Sequence, residues 1–332
     1  MPNNYLASVG ILCYNQEQYI RQTIEAALNQ RTSFPFEVWI GDDASSDDTR
    51  KIAEEYERSH PEIVKLLPKG PNKGVVLNCC EIIKNVEGKY TAMCSGDDYW
   101  HNPLKLQMEV EFLEQNTDFG LVHTDANYFF EKTGFLVEYM NRKNKMTIKD
   151  GDVFNELLTG EFHINALTAC FRTELLRGKN NLDLFYSLGF NLEDYPMWLE
   201  ISRHTKVKYL DESTATYRIL GDSISRPADP DKKFKYADGI NKIRQFFCQE
   251  YNVDESIRHQ VNIEHWEKIF RLSYKMLKYN EAYPVFQQLK KAGLATSKMQ
   301  LQLALLRYPA VCSIAQKISR SFKPKLERQN MS

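Results

Sequence analysis

In the first 130 residues, continuous apolar runs of strand length alternate with segments whose apolar positions recur every three to four residues. Ser8–Cys13, Phe36–Ile40, Ile63–Leu67, Tyr90–Cys94 and Gly120–Phe130 predict strands. The first intervening helix presents Tyr19, Ile20, Thr23, Ile24, Ala27 and Leu28 on one face. Asn15, with Gln18 three residues on, reads as its capping box. A second helix starts at Ser46 or Asp47 and runs to about His60, and a third spans Val75–Val86. Asn102 with Pro103 behind it predicts the start of a fourth. Strands alternating with helices imply a mostly parallel sheet with right-handed crossovers. Ligands of such sheets bind beyond the carboxyl ends of the strands.

From Glu131 the pattern loosens. Arg142–Asp150 reads as a loop and Val153–Leu158 as a short helix ended by Gly160. Asn165–Arg172 predicts a strand, Glu193–His204 a helix, and Val207–Ile219 one or two strands. After Arg226 the chain reads as helical, most clearly over Glu264–Leu277, Glu281–Lys291 and Met299–Ser319, with a kink or break at Pro309. The expected division is an α/β domain over 1–225 and a helical region over 226–332.

A chain of 332 residues with 42% hydrophobic positions is ordinary for a globular protein. The net charge of -1 gives no global reason to bind nucleic acid. The balance is uneven, however: Lys298–Ser332 holds seven Lys or Arg and one acid, which leaves the remainder at -7. Such asymmetry marks a basic tail suited to an acidic surface. Met299, Leu303, Leu306, Ala310, Ile314 and Ile318 share one helical face of that tail if Pro309 only kinks it. Arg307, Lys317, Arg320, Lys323, Lys325 and Arg328 add charge, so a membrane surface contact is one reading and a core-packing helix with a solvated end the other. The seven Cys include no Cys-x-x-Cys pair and read as buried thiols of a reducing compartment. No signal peptide or membrane span is evident, so the expected location is the cytoplasm, extending to the inner face of the plasma membrane.

Both acidic clusters fall at strand ends. Asp97-Asp98 follows Tyr90–Cys94, with Gly96 just before it. A hard divalent cation on a diphosphate needs only one or two protein carboxylates, because phosphate and water complete its shell. Glycine there lets the backbone approach a phosphate or ribose closely. The plainer alternative is a solvated turn. Asp42-Asp43 ends the second strand in the same way, and Asp43 can accept a hydrogen bond from a uracil-like N–H. Asp47 and Asp48 fit the positive end of a helix. Glu193-Asp194 opens an amphipathic helix backed by Pro196 and Trp198, a setting in which a carboxylate can act as general base. Two acids in a first turn also simply complement the helix dipole. Trp100, beside the acidic cluster, either stacks on an acceptor sugar or packs in the core.

Four stretches in order carry a resemblance: Ser-Val-Gly-Ile-Leu-Cys-Tyr-Asn (8–15), Trp-Ile-Gly-Asp-Asp-Ala-Ser-Ser-Asp-Asp-Thr (39–49), Asn72-Lys73-Gly74 with Asn78, and Cys-Ser-Gly-Asp-Asp-Tyr-Trp (94–100). With Glu193-Asp194 and Tyr-Arg-Ile-Leu-Gly-Asp-Ser-Ile-Ser (217–225), they resemble the family 2 glycosyltransferases of bacterial surface-polysaccharide assembly, over about residues 6 to 225. The resemblance implies a Rossmann-like GT-A fold and inverting sugar transfer from a nucleotide diphosphate, of UDP type, to a glycan or lipid-linked hydroxyl. It implies Cys13, Tyr14, Asp43, Asn78 and Asp97 on the donor side and Asp98 as ligand to Mn²⁺ or Mg²⁺. Asp194 becomes the general base, with Glu193, Tyr99 and Trp100 on the acceptor side. Two departures stand out. Ser95 occupies a position where many members have a carboxylate, and Leu220 one where many have His, which hands that ligand role to Asp222 or water. A nucleotidyltransferase is disfavoured because Cys13–Tyr19 is not a Gly-rich, basic loop. A nucleotide-sugar-binding protein without turnover is the remaining alternative.

Overall fold

A computed structural model describes residues 5–177, 181–221 and 229–321. The chain forms two compact units, Met1–Gly221 and Asp222–Ser332.

The first unit is built on one nine-stranded sheet. Its strands are β1 Ala7–Cys13, β2 Phe36–Asp42, β3 Val64–Leu66, β4 Tyr90–Ser95, β5 Tyr99–Trp100, β6 Phe119–Phe130, β7 Phe135–Val137, β8 Ala169–Arg172 and β9 Lys206–Ile219. The order is β3-β2-β1-β4-β8-β6-β9-β5, with β7 on β6. Every residue of β1 is buried. Such an uninterrupted apolar strand belongs at the centre of a sheet covered on both faces. It pairs parallel with β2 and β4, while β2 pairs parallel with β3. Past β4 the sheet is mixed: β8 runs antiparallel to β4 and β6, and β6 runs parallel to β9. The parallel half matches the sequence pattern, whose alternation stops where the mixed half begins.

Helices α1 Ile20–Leu28, α2 Thr49–Ser59, α3 Val75–Asn85 and α4 Lys105–Gln115 flank this sheet. Further on lie α5 Met140–Lys143, α6 Phe154–Thr159, α7 Glu174–Arg177, α8 Asn181–Ser187 and α9 Asp194–His204. The core gathers β1, β2 and β4 with Ile20, Ile24, Ala53, Leu106 and Val110 from the helices.

Several expected boundaries move, each for a local reason. Asn15 does not cap α1, which starts at Ile20. It has a left-handed φ of 51° and spends its side-chain oxygen on the Ser46 backbone N–H at 2.8 Å. Asn102 accepts from the Leu104 N–H at 2.9 Å, so the fourth helix begins only at Lys105. Residues 166–168 form a 3₁₀ turn rather than the first half of a strand. Arg142 belongs to a short helix, because the buried Asp125 carboxylate accepts the N–H groups of Asn141 and Arg142.

The second unit is helical: α10 Pro230–Glu250, α11 Glu255–Met276, α12 Tyr279–Lys291, α13 Ser297–Leu306 and α14 Pro309–Ser321. Phe270, Ala282, Phe286, Leu289, Leu303, Leu306 and Cys312 form its core. Pro309 breaks the tail into two helices, so the single apolar face expected there is divided. Leu303 and Leu306 turn into the core, and Ile314 is exposed. Ile318, Arg320, Lys323, Lys325 and Arg328 lie outside the residues whose side chains are described, as does Asp222. No helix among the described residues is long and apolar enough to cross a membrane.

Candidate active site

The parallel register sets three loop starts side by side. Cys13 pairs with Asp42 and Leu12 with Ser95, so the carboxyl ends of β1, β2 and β4 deliver Tyr14, Asp43 and Asp97-Asp98 to one edge. Reciprocal bonds lock the first two loops. Asn15 N–H donates to Ser45 Oγ, Gln16 N–H to Thr49 Oγ1, and Glu17 N–H to Asp47 Oδ2. The Asp48 N–H donates in return to Glu17 Oε2. Asp47 and Asp48 therefore help to fasten one loop to the other besides preceding α2, and these bonds hold the Asp47 carboxyl below its usual range against a burial effect that alone would raise it.

Asp43 is buried, and both its oxygens are engaged. Lys73 N–H donates to Oδ1 at 2.8 Å and Gly74 N–H to Oδ2 at 2.9 Å, while Asn72 Nδ2 donates to the Asp43 carbonyl. The carboxylate thus pins the 72–74 loop that leads into α3. Asn78, one turn into that helix, donates to the Gly41 carbonyl at 2.7 Å and leaves its own buried Oδ1 without a protein partner. That oxygen packs against Gly41, where a Cβ would stand 2.6 Å from it. Tyr14 is half exposed, whereas Cys13 is buried with its thiol directed at the Gly41 carbonyl. Cys13 thus packs beneath the loops and does not line their open side.

At the end of β4, Asp98 is 3% exposed and Asp97 half-buried. Burial raises both carboxyls, and for Asp98 the neighbouring Asp97 charge adds to it. Asp98 Oδ1 accepts the Arg218 backbone N–H at 2.7 Å. Arg218, which the sequence reading left without a role, closes over the turn. Its Nε donates to the Asp97 carbonyl at 2.8 Å, Nη2 to Gln22 at 2.7 Å, and Nη1 pairs with Glu131 at 3.0 Å. Its guanidinium carbon sits 4.7 Å from the Tyr19 ring centre and 5.3 Å from that of Tyr99. Gly96 is needed for a different reason than the one expected: a Cβ there would stand 2.8 Å from Cys13 Cβ and 2.5 Å from Gln16 Oε1. Protein packing already requires glycine at this point.

Among the described residues no three His, Cys, Asp or Glu side chains gather into a metal cluster. Two crowded carboxylates at one strand end still fit a hard divalent ion that takes its other ligands from phosphate and water. Leu220 follows β9, half-buried, and supplies no donor atom.

Trp100 is not available to an acceptor. It is buried, its indole N–H donates to the Leu167 carbonyl at 2.9 Å, and Lys105 Nζ lies 4.4 Å from its ring centre. Tyr99 stays half-buried at the site through its contact with Arg218. Glu193 and Asp194 open α9, whose Met197 sulfur meets the Cys79 thiol of α3 at 3.7 Å. The helix that follows the Asp43-pinned loop therefore packs against the one that opens with the third acidic cluster. Burial lifts Asp194 to about 6, partly opposed by the Tyr195 N–H it accepts at 2.6 Å. Burial, and then repulsion from Asp194, lifts Glu193 to about 8.

Residues 8–169 match the family model described as glycosyl transferase family 2. They form a family 2 glycosyltransferase domain. A 111-residue stretch is 40% identical to uncharacterised proteins of Mycobacterium tuberculosis and Mycobacterium bovis, covering 33% of this chain and 32% of theirs. The chain thus matches about a third of those relatives' length. WfaP of Escherichia coli, a UDP-Glc:α-D-GlcNAc-diphosphoundecaprenol β-1,3-glucosyltransferase, is 29% identical over 224 residues, 66% of this chain and 80% of WfaP. Among solved structures, TarS residues 1–349 of S. aureus with UDP-GlcNAc overlays with a TM-score of 0.58 at 18% identity, covering 92% of this chain and 88% of that one. The mannosyltransferase PcManGT of Pyrobaculum calidifontis, with GDP-Man and Mn²⁺, gives 0.56 at 14% identity, covering 94% and 86%. These overlays establish the GT-A fold of the sugar-transferring enzymes.

Proposed function

We propose that this chain transfers a sugar from a nucleoside diphosphate donor of uridine type to a hydroxyl of a glycan or lipid-linked acceptor, with inversion at the anomeric carbon. The observation that carries the reading is the paired Asp97-Asp98 carboxylate at the end of β4, one strand from the Asp43-pinned loop. WfaP and TarS, whose names and bound ligands include UDP-sugars, support the donor class, and WfaP's diphosphoundecaprenol acceptor supports a lipid-linked one. A lipid-linked acceptor would bring the enzyme to a membrane surface.

Asp98, with Asp97, would hold Mn²⁺ or Mg²⁺ against the donor. When bound, that ion neutralises the charge developing on the departing diphosphate. Asp43 acts on the donor through the 72–74 loop, and Asn78 braces the end of β2 beneath it through the Gly41 carbonyl. Asp194, ionised above about pH 6, takes the acceptor hydroxyl proton as the new C–O bond forms. The glycosidic electron pair leaves with the diphosphate. Glu193, lifted to about 8 by burial and the Asp194 charge, stands at the same helix start on the acceptor side. Proton NMR of the first-formed product from an α-linked donor tests this. A β-linked product is expected, and a retained α linkage would overturn the single displacement.

A further inference from the structure

The second unit carries apolar side chains that its own core does not use. Leu301 of α13 is 62% exposed, Tyr308 66%, and Val311 and Ile314 of α14 are 53% and 59%. Val311 and Ile314 lie three apart on one side of α14, and Tyr308, just before the helix, continues that spacing. Cys312, about 100° round the helix from Val311, is the residue that packs into the core. Large apolar groups aligned on one exposed helix face mark an interaction surface rather than ordinary scatter.

The charge of the same stretch narrows the partner. Between Glu281 and Glu327 the sequence has no acid and eight Lys or Arg. Arg307 and Lys317 flank the ridge and are exposed, as are Lys290 and Lys291 at the end of α12 and Lys298 at the start of α13. A helix of 13 residues is about 20 Å long, too short to span a bilayer, but it can lie in the headgroup plane with its apolar side turned down. A second copy seated on this ridge by a two-fold axis would bring the Arg307 and Lys317 charges of the two copies together.

We infer that the outer side of α14, Val311 and Ile314 with Tyr308 and Arg307 just before the helix and Lys317 on it, docks the protein on an anionic lipid leaflet. This specifies the membrane contact in the proposed function but does not depend on the catalytic roles assigned there. The test is co-sedimentation of the full chain with phosphatidylcholine vesicles, with and without phosphatidylglycerol, at low and high salt. The wild-type chain should pellet only with the anionic vesicles and be released by salt. Val311→Asp/Ile314→Asp should weaken that binding about tenfold or more, since two apolar side chains lose their burial. Lys317→Glu should weaken it less while leaving the apolar ridge intact. Circular dichroism confirms that each variant is folded, and donor hydrolysis in the same samples reports separately on the active site. Failure of the wild type to pellet with anionic vesicles, or unchanged binding by the double variant, overturns the assignment. So does a solution dimer that the double variant converts to monomer.

Discussion

Glu193 and Asp194 are adjacent carboxylic acids with the same helix behind them, yet burial lifts Asp194 to about 6 while burial and the Asp194 charge lift Glu193 to about 8. At neutral pH one is an acid and the other a base. Raised values mean that each group gains its charge only as pH climbs through them. Transfer is therefore expected to rise through about pH 6, as Asp194 loses its proton, and to fall above about pH 8, as Glu193 does. A profile of kcat/KM against pH checks both limbs. Asp194→Asn should lower transfer by about 10²–10⁴-fold while UDP affinity changes little, and Glu193→Gln should flatten the alkaline limb. Arg218 works differently, since it touches the Asp97-Asp98 turn and not the acceptor. Arg218→Lys keeps a charge and the backbone bond to Asp98 but loses the fork that spans Asp97, Gln22 and Glu131. Calorimetric affinity for Mn²⁺ in the presence of UDP should fall about 10–100-fold. Both acidic pairs were visible in the sequence as carboxylates at element ends. Arg218 was not, because its role depends on β5 and β9 meeting, and no local pattern encodes that pairing.

At the scale of elements, α4 shows how a familiar pattern can mislead. Lys105 and Glu109 are four apart, which on a surface helix makes a solvated ion pair of small value. Here both side chains are fully buried and paired, and Lys105 also lies over the Trp100 ring. The bury-or-expose choice is made by the sheet edge above the helix rather than by α4 itself. Lys105→Met should leave Glu109 unpaired and cost about 3–5 kcal/mol, read from urea unfolding. Burial raises Glu109 to about 7 even with its partner present. Neutral Glu109 is thus accessible at pH 5 and costly at pH 8, so the loss should be larger at pH 8. Adding Glu109→Leu should recover most of it. The same distinction explains which elements were legible. β1, β2 and β4 are buried on both sides and announce themselves as apolar runs, and α1 to α3 show one apolar face each. The two-residue β5 and the three-residue β7 have no pattern of their own and exist because β9 and β6 offer edges. The late start of α1 comes from Asn15 spending its side chain on Ser46, and that of α4 from a local turn in which Asn102 accepts the Leu104 N–H.

At the scale of the whole molecule, the chain divides into two units with separate cores, and the charge divides with it. The catalytic account rests entirely on the first unit and the docking account on the second, so they can fail independently. The central claim is that the cluster at the ends of β1, β2 and β4 turns over a nucleotide sugar with the help of a divalent ion. Release of free nucleoside diphosphate from a panel of UDP- and GDP-sugars, with Mn²⁺ and with excess chelator, tests it most directly. The account predicts release from at least one UDP-sugar with Mn²⁺, its reversible loss in chelator, and none with Asp98→Asn. Undiminished release in excess chelator, or wild-type release by Asp98→Asn, would contradict it.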